Sequence, residues 1–224
     1  MGDWEERAAR ASERHDDGEA RLPEDGDERQ RQLTRMGNAA WAAGLSLLML
    51  GRRDDAREWL LRAAERYRES WPLAPAGSWG RPIGAMKSRL IAGDEEGALD
   101  DARWALEAGA AESDSPIGRY AAALAHLVRD EDGQAAELAA TLEGRDDFPA
   151  AVADTLIALS AGDALGYGQA IQALLTDFEE RDEFLEDIPV ADTVLALRVL
   201  ADRRGLAVSL SSPFLPVCWT LTET

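Results

Sequence analysis

The chain is poor in the residues on which site chemistry usually depends. Its 224 residues include one cysteine, Cys218, and two histidines, His15 and His126. A single cysteine excludes an internal disulfide framework and fits a reducing compartment. Two histidines, one in a charged N-terminal stretch and one on an alanine-leucine helix, are too few for a histidine zinc site or a Ser/His/Asp arrangement. Cys218 has no histidine or basic cluster beside it in sequence to activate it, which fits a buried structural thiol. Aromatic residues make up only 6%, and Lys87 is the sole lysine among 24 basic residues. No run approaches the length of a membrane span, and the charged N-terminus has no apolar core for a signal peptide, so a cytoplasmic location is expected. The glycines of Gly162 to Gly168, GDALGYG, follow a helical pattern and lack the Lys-Ser/Thr of a phosphate loop; they predict a turn.

Acidic residues are what the chain has in excess. Forty-three Asp and Glu give a formal charge of −19. Such a surface repels nucleic-acid backbones and anionic membranes, so neither is expected as a partner. Two explanations of the acidity stay open: adaptation to a high-salt (halophilic) or GC-rich host, or a face for a basic partner. Acidic turns at Asp54-Asp55, Asp94-Glu95-Glu96, Asp130-Glu131-Asp132 and Asp146-Asp147 sit just before helical patterns. There Asp satisfies free amides and complements the helix dipole, and the remaining ligands of a calcium loop are missing. No metal or cofactor is expected.

Apolar residues form 46% of the chain, mostly Ala and Leu, which favours an all-α protein of closely approaching helices. Gly37 to Tyr67 predicts one complete helical hairpin: Ala40, Ala43, Gly44, Leu47 and Leu48 on the first helix, Gly51 at the turn, then Ala56, Trp59, Leu60, Ala63, Ala64 and Tyr67 on the second. Similar hairpins follow at about Ile83 to Gly109, Pro116 to Gly144, and from Pro149 through Phe178. The alanine that opens each second helix falls at Ala56, Ala98, Ala135 and Ala170, and PAAVADTLIAL at Pro149 to Leu159 is echoed by PVADTVLAL at Pro189 to Leu197. Periods of this size mean stacked helix pairs. The expected architecture is an all-α, right-handed superhelix (an α-solenoid) of four to five hairpins. Residues 1–32 are expected to be a charged segment, disordered or holding one short helix from about Asp3 to Arg14, with a solvated linker from Asp16 to Asp27. Residues 33–224 form the repeat domain. From about residue 206, Leu206, Val208 and Leu210 alternate as a strand would, and two prolines exclude helix, which predicts an extended C-terminal cap that Cys218 and Trp219 help to build.

The first hairpin resembles the tetratricopeptide repeat in Gly44, Leu47, Gly51, Ala56, Leu60 and Ala63. Later units depart from that family's pattern at Met86, Arg89, Asp130 and Asp177, and the resemblance covers roughly Gly37 to Arg181. The stretch Val194 to Pro216, with Leu200, Arg204-Gly205, Val208 and Leu215-Pro216, is similar to the C-terminal signature of the immunity protein 49 family, as is the alanine-rich helix around Trp41. That resemblance implies a stoichiometric inhibitor of a toxin. The tetratricopeptide likeness implies a fold and no particular ligand.

No catalytic constellation emerges, so the expected function is non-enzymatic binding of a protein partner, either a toxin or a peptide held in a concave groove. Seven tryptophans are many for so few aromatics, and rigid aromatic anchors dominate binding surfaces. Trp41, Trp71, Trp79, Arg81, Lys87, Arg89 and Tyr120 are therefore the expected partner-binding residues. If the acidity is a high-salt adaptation, circular dichroism will show the helices melting on dilution into low salt and reforming in molar KCl. Unchanged ellipticity in low salt would leave the acidity to partner binding.

Overall fold

The computed structural model describes residues 3–217, and among them the protein is all-helical. Ten α-helices follow in order: α1 (Trp4–Ala20), α2 (Gly26–Met49), α3 (Arg53–Ser70), α4 (Gly80–Ala92), α5 (Glu95–Glu107), α6 (Pro116–Val128), α7 (Asp132–Ala140), α8 (Ala150–Ala161), α9 (Ala164–Glu179) and α10 (Asp192–Arg203), with two short 3-10 turns at Trp71–Leu73 and Leu185–Asp187. Each helix from α1 to α9 packs on the next in the chain, and α6 also touches α4 and α8. The turn chemistry explains where the helices start. Asp94 accepts from the Gly97 amide, Ser115 from Gly118, and Asp163 from Leu165 and Gly166, so these side chains satisfy amides that the helix itself leaves unpaired. The GDALGYG stretch is a turn only at Gly162 and Asp163; Ala164 to Gly168 already belong to α9, because Asp163, the second residue of the stretch, caps the helix rather than leaving the glycines as a loop.

Glycine and alanine let the helices come close. A Cβ on Gly44 would stand 2.7 Å from Leu60 Cγ, which is why α2 and α3 can approach there. The ring of Tyr67 on α3 lies between Gly37 of α2 and Gly84 of α4, each of which would place a Cβ 2.8 Å from it. Tyr67 completes the fit by donating its hydroxyl to Asn38 Oδ1 at 2.9 Å. Burial pushes this phenol well above its ordinary range, and the charges of Asp192 and Glu186 push it further.

The N-terminal stretch differs from its expected form. α1 runs through Asp16 and Asp17 to Ala20, and α2 begins at Gly26, so the expected boundary at residue 32 falls inside a helix. Ala8, Ala11, His15 and Gly18 recur at helical spacing and are buried. The helix continues through Gly18, whose missing side chain lets Gln32 and Met36 of α2 pack against it. His15 meets Trp59 edge to face at 5.3 Å. Arg7 donates to the carbonyl of Asp187, and Arg14 pairs with Glu186 at 2.5 Å, so α1 also holds a segment nearly the whole chain away.

α10 departs from the expected stacking in a more consequential way. The repeat pattern makes it the opening helix of a fifth unit stacked on the fourth, yet its main contact is with α4, with fewer to α9. Val194, Leu195, Ala196, Leu197, Val199, Leu200 and Ala201 are all buried, and a helix apolar on so many sides is enclosed by its neighbours. At its C-terminal end Arg203 reaches Glu95 at 3.3 Å, while Arg204 donates to the Leu127 carbonyl and to Asp132, both at 2.7 Å. After Gly205 the backbone is extended but forms no strand among the described residues. Phe214 returns this segment to the start of α10 by accepting from the Ala191 amide at 3.0 Å, and it clusters with Phe178 and Phe184. Cys218 and Trp219 lie outside the described residues.

A buried carboxylate joins three helices. Asp101 of α5 has a fully buried side chain and takes Arg68 of α3 and Arg89 of α4 at 2.7 Å each. Burial pushes the Asp101 carboxyl up, while the two guanidinium groups pull it back. In Arg89→Met only the half-exposed Arg68 remains to compensate this charge. Urea unfolding near pH 7 is expected to show a loss of about 3 kcal/mol. The Asp101 pKa then lies further above its unfolded value, and a raised carboxyl adds stability below the unfolded pKa that is lost as pH rises through the folded one. The deficit against the parent protein is therefore expected to shrink toward pH 4.

Candidate functional site

Four of the seven expected binding residues meet in one cleft of about 440 Å³. α2 supplies Thr34, Asn38 and Trp41 to it, α3 supplies Tyr67, and α4 supplies Arg81, Gly84 and Lys87. The loop before α4 adds Trp79, and the start of α10 and the segment before it add Asp192 and Leu185. The position follows from the fold. α10 begins beside α2 and α4, and the absence of side chains at Gly37 and Gly84 seats Tyr67 between those two helices.

Asp192 fixes one end of the cleft. Its Oδ2 accepts from Trp41 Nε1 at 3.1 Å and lies 2.6 Å from Lys87 Nζ, which also donates to Thr193 Oγ1 at 3.1 Å. The Lys87–Asp192 pair is largely buried, each side chain being 14% exposed. Because one carboxylate joins α2, α4 and α10, this end of the cleft is structurally determined.

Arg81 forms the other end and is bound differently. Its Nε donates to Ser70 Oγ at 2.8 Å, and its Nη2 donates to Gln30 Oε1 and, at 3.1 Å, to Thr34 Oγ1. Gln30 and Ser70 are themselves buried. All three partners are neutral, and among the described residues no carboxylate lies within ion-pair distance of this guanidinium. Burial without a countercharge lowers the pKa of Arg81 from its ordinary value. In a chain of charge −19, an arginine held on neutral acceptors at the edge of a cleft is an exception.

The tryptophans serve mostly as walls. Trp41 and Trp79 are only 6% and 7% exposed, so little more than an edge of each ring reaches the cleft. Trp71 is outside the cleft and joins a row of rings, 5.5 Å from Trp79 on one side and 5.5 Å from Trp104 on the other. Arg89 is engaged with Asp94 and Asp101, and Tyr120 is buried 5.8 Å from Phe148, so neither lines the cleft. The sequence pattern missed Thr34, Asn38, Asp192 and Leu185. Thr34 and Asn38 stand on the same helix as Trp41 at spacings that put them toward one side, a signal that was available. Asp192 and Leu185 reach the cleft only because α10 lies on α4.

Among the described residues, no three His, Cys, Asp or Glu side chains are grouped as metal ligands would be, and no helix is long and apolar enough to cross a membrane. Among the described residues Asp192 is the only carboxylate lining the cleft, and it is committed to Lys87 and Trp41. In Asp192→Ala the Lys87 ammonium and the Trp41 indole lose their acceptor at a largely buried position. Thermal unfolding is expected to register a loss of about 3 kcal/mol, with the greater part arising from the unpaired lysine.

No protein-family model matches this chain, and neither a curated protein nor a solved structure resembles it significantly.

Proposed function

We propose that the protein is a non-enzymatic helical-repeat protein that binds a protein partner, and specifically that it neutralises a toxin by direct contact. On this reading α2–α3, α4–α5, α6–α7 and α8–α9 are four tetratricopeptide-like hairpins of a right-handed superhelix, and α10 is a fifth, incomplete unit. The observation that carries the proposal is the state of the cleft. It is pre-formed and fixed by hydrogen bonds, and its one carboxylate is held between a lysine and an indole. A base so engaged is poorly placed for proton transfer, whereas fixed side chains around a cavity suit recognition, because little conformational freedom is lost on binding.

The resemblance of Val194 to Pro216 to immunity protein 49 gives this binding its specific form, a one-to-one inhibitor. The acidic surface supports it further, since a −19 protein accelerates encounter with a basic partner. A scaffold holding an extended peptide along the first helices finds less room, because α10 packs along α4.

Co-expression with a toxin domain encoded beside the gene tests the proposal. Growth rescue, a 1:1 complex by light scattering, and association that slows about tenfold or more between 50 and 500 mM NaCl are the expected results. Leu185→Asp, a change at the half-exposed rim of the cleft, is expected to weaken the complex without changing the melting temperature. Rescue that requires turnover of a small molecule, or no complex with any neighbouring product, would reject the inhibitor reading.

A further inference from the structure

We infer that the cleft is a receptor for a single carboxylate, the side chain of an acidic residue that the protein partner inserts between Arg81 and Lys87. The inference rests on the partner-binding function proposed above and names the group that enters the site.

The hydrogen-bond inventory of the cleft is one-sided. Its side-chain amide and carboxylate acceptors, and one hydroxyl, are already engaged: Asn38 Oδ1 by Tyr67, Asp192 Oδ2 by Trp41 and Lys87, and Thr34 Oγ1 by Arg81. Several donors have capacity left. Arg81 spends Nε and Nη2 on Ser70, Gln30 and Thr34, and among the described residues Nη1 has no partner. The Asn38 amide nitrogen has none either, and two partners account for two of the three hydrogens on Lys87 Nζ. A site with spare donors and spent acceptors selects a ligand group that only accepts. An ionised carboxylate is such a group, and a guanidinium edge is its best single partner.

Charge selects between oxyanions. The cleft carries Arg81 and Lys87 against Asp192, a net of one positive charge. A carboxylate brings that to zero. A phosphate dianion would leave the cleft negative inside a protein of charge −19, where further negative charge is unfavourable. The remaining walls suit a side chain with an aliphatic stem: the Trp41 edge and Ile83 are apolar, and Leu185, 57% exposed at the rim, offers a contact to an apolar neighbour of the acidic residue. Anchoring also comes at little entropic cost, since the buried Gln30 and Ser70 hold the Arg81 fork in place before the ligand arrives.

The test uses the full chain labelled with ¹⁵N and three probes: N-acetyl-leucyl-glutamic acid amide, its glutamine counterpart, and inorganic phosphate. The expected result is movement of the Trp41 and Trp79 indole and Arg81 Nε resonances with the glutamyl peptide, which binds about tenfold or more tightly than the glutaminyl peptide. Phosphate binds more weakly than the glutamyl peptide. Arg81→Gln abolishes the difference between the two peptides. Arg81→Lys, which keeps the charge but loses the fork, retains only part of it, and it decides the matter if the glutamine variant melts early. Equal affinity for the two peptides, preference for phosphate, or shifts confined to residues outside the cleft would overturn the inference. The two proposals fail separately. A toxin complex unaffected by Arg81→Gln removes the carboxylate and leaves the inhibitor, while selective glutamyl binding without a toxin complex does the reverse.

Discussion

Asp192 is the group on which the working surface of this protein depends. One oxygen of its carboxylate holds the Trp41 indole of α2 and the Lys87 ammonium of α4, and the residue itself begins α10. Both charges of the Lys87–Asp192 pair are mostly out of water, so neither can lose the other without leaving a buried charge behind. This interaction fixes the N-terminal end of α10 relative to two helices far earlier in the chain. The cleft is the space enclosed by that arrangement.

The far end of α10 is held by charge as well. Arg204 takes the Leu127 carbonyl and Asp132, and Arg203 takes Glu95, so the helix is tied at both ends and buries apolar residues from Val194 to Ala201 between them. The segment before it is tied in turn by α1 through Arg7 and Arg14. Glu186 and Asp187 there adopt positive φ angles of 55° and 58°, conformations that non-glycine residues hold only when their surroundings impose them. Leu185 next to them reaches the rim of the cleft. The first helix of the chain therefore influences the shape of a site to which it contributes no side chain.

Within the cleft, structural and recognition roles divide between the two cations of α4. Lys87 is neutralised by Asp192 and belongs to the framework. Arg81 rests on the uncharged Gln30, Thr34 and Ser70, and its charge remains available to a ligand. An arginine held in this way keeps its geometry without being compensated, which is a requirement for recognising an anion in a protein that is otherwise strongly acidic.

The sequence by itself determined most of the helices from Gly37 onward and their order. Alanine-leucine periodicity, left-handed glycines such as Gly51, Gly93 and Gly162, and capping residues such as Asp94, Ser115 and Asp163 are local signals, and each acts within a few residues of where it stands. It also brought out Trp41, Trp79, Arg81 and Lys87, because aromatic residues are few here and the basic residues near them in sequence stand out beside those rings. It could not separate Arg81, which faces the cleft, from Arg89, which is spent on Asp94 and Asp101; both stand on α4, and only their partners on other helices distinguish them. Nor could it join α1 to the body, since a small-residue face reads as polar chain until Met36 and Trp59 are seen to cover it. The tertiary structure alone decided that α10 lies on α4 and that Asp192 and Leu185 complete the cleft. Local periodicity states which side of a helix is apolar, but which helix covers that side is settled by packing between residues more than a hundred positions apart.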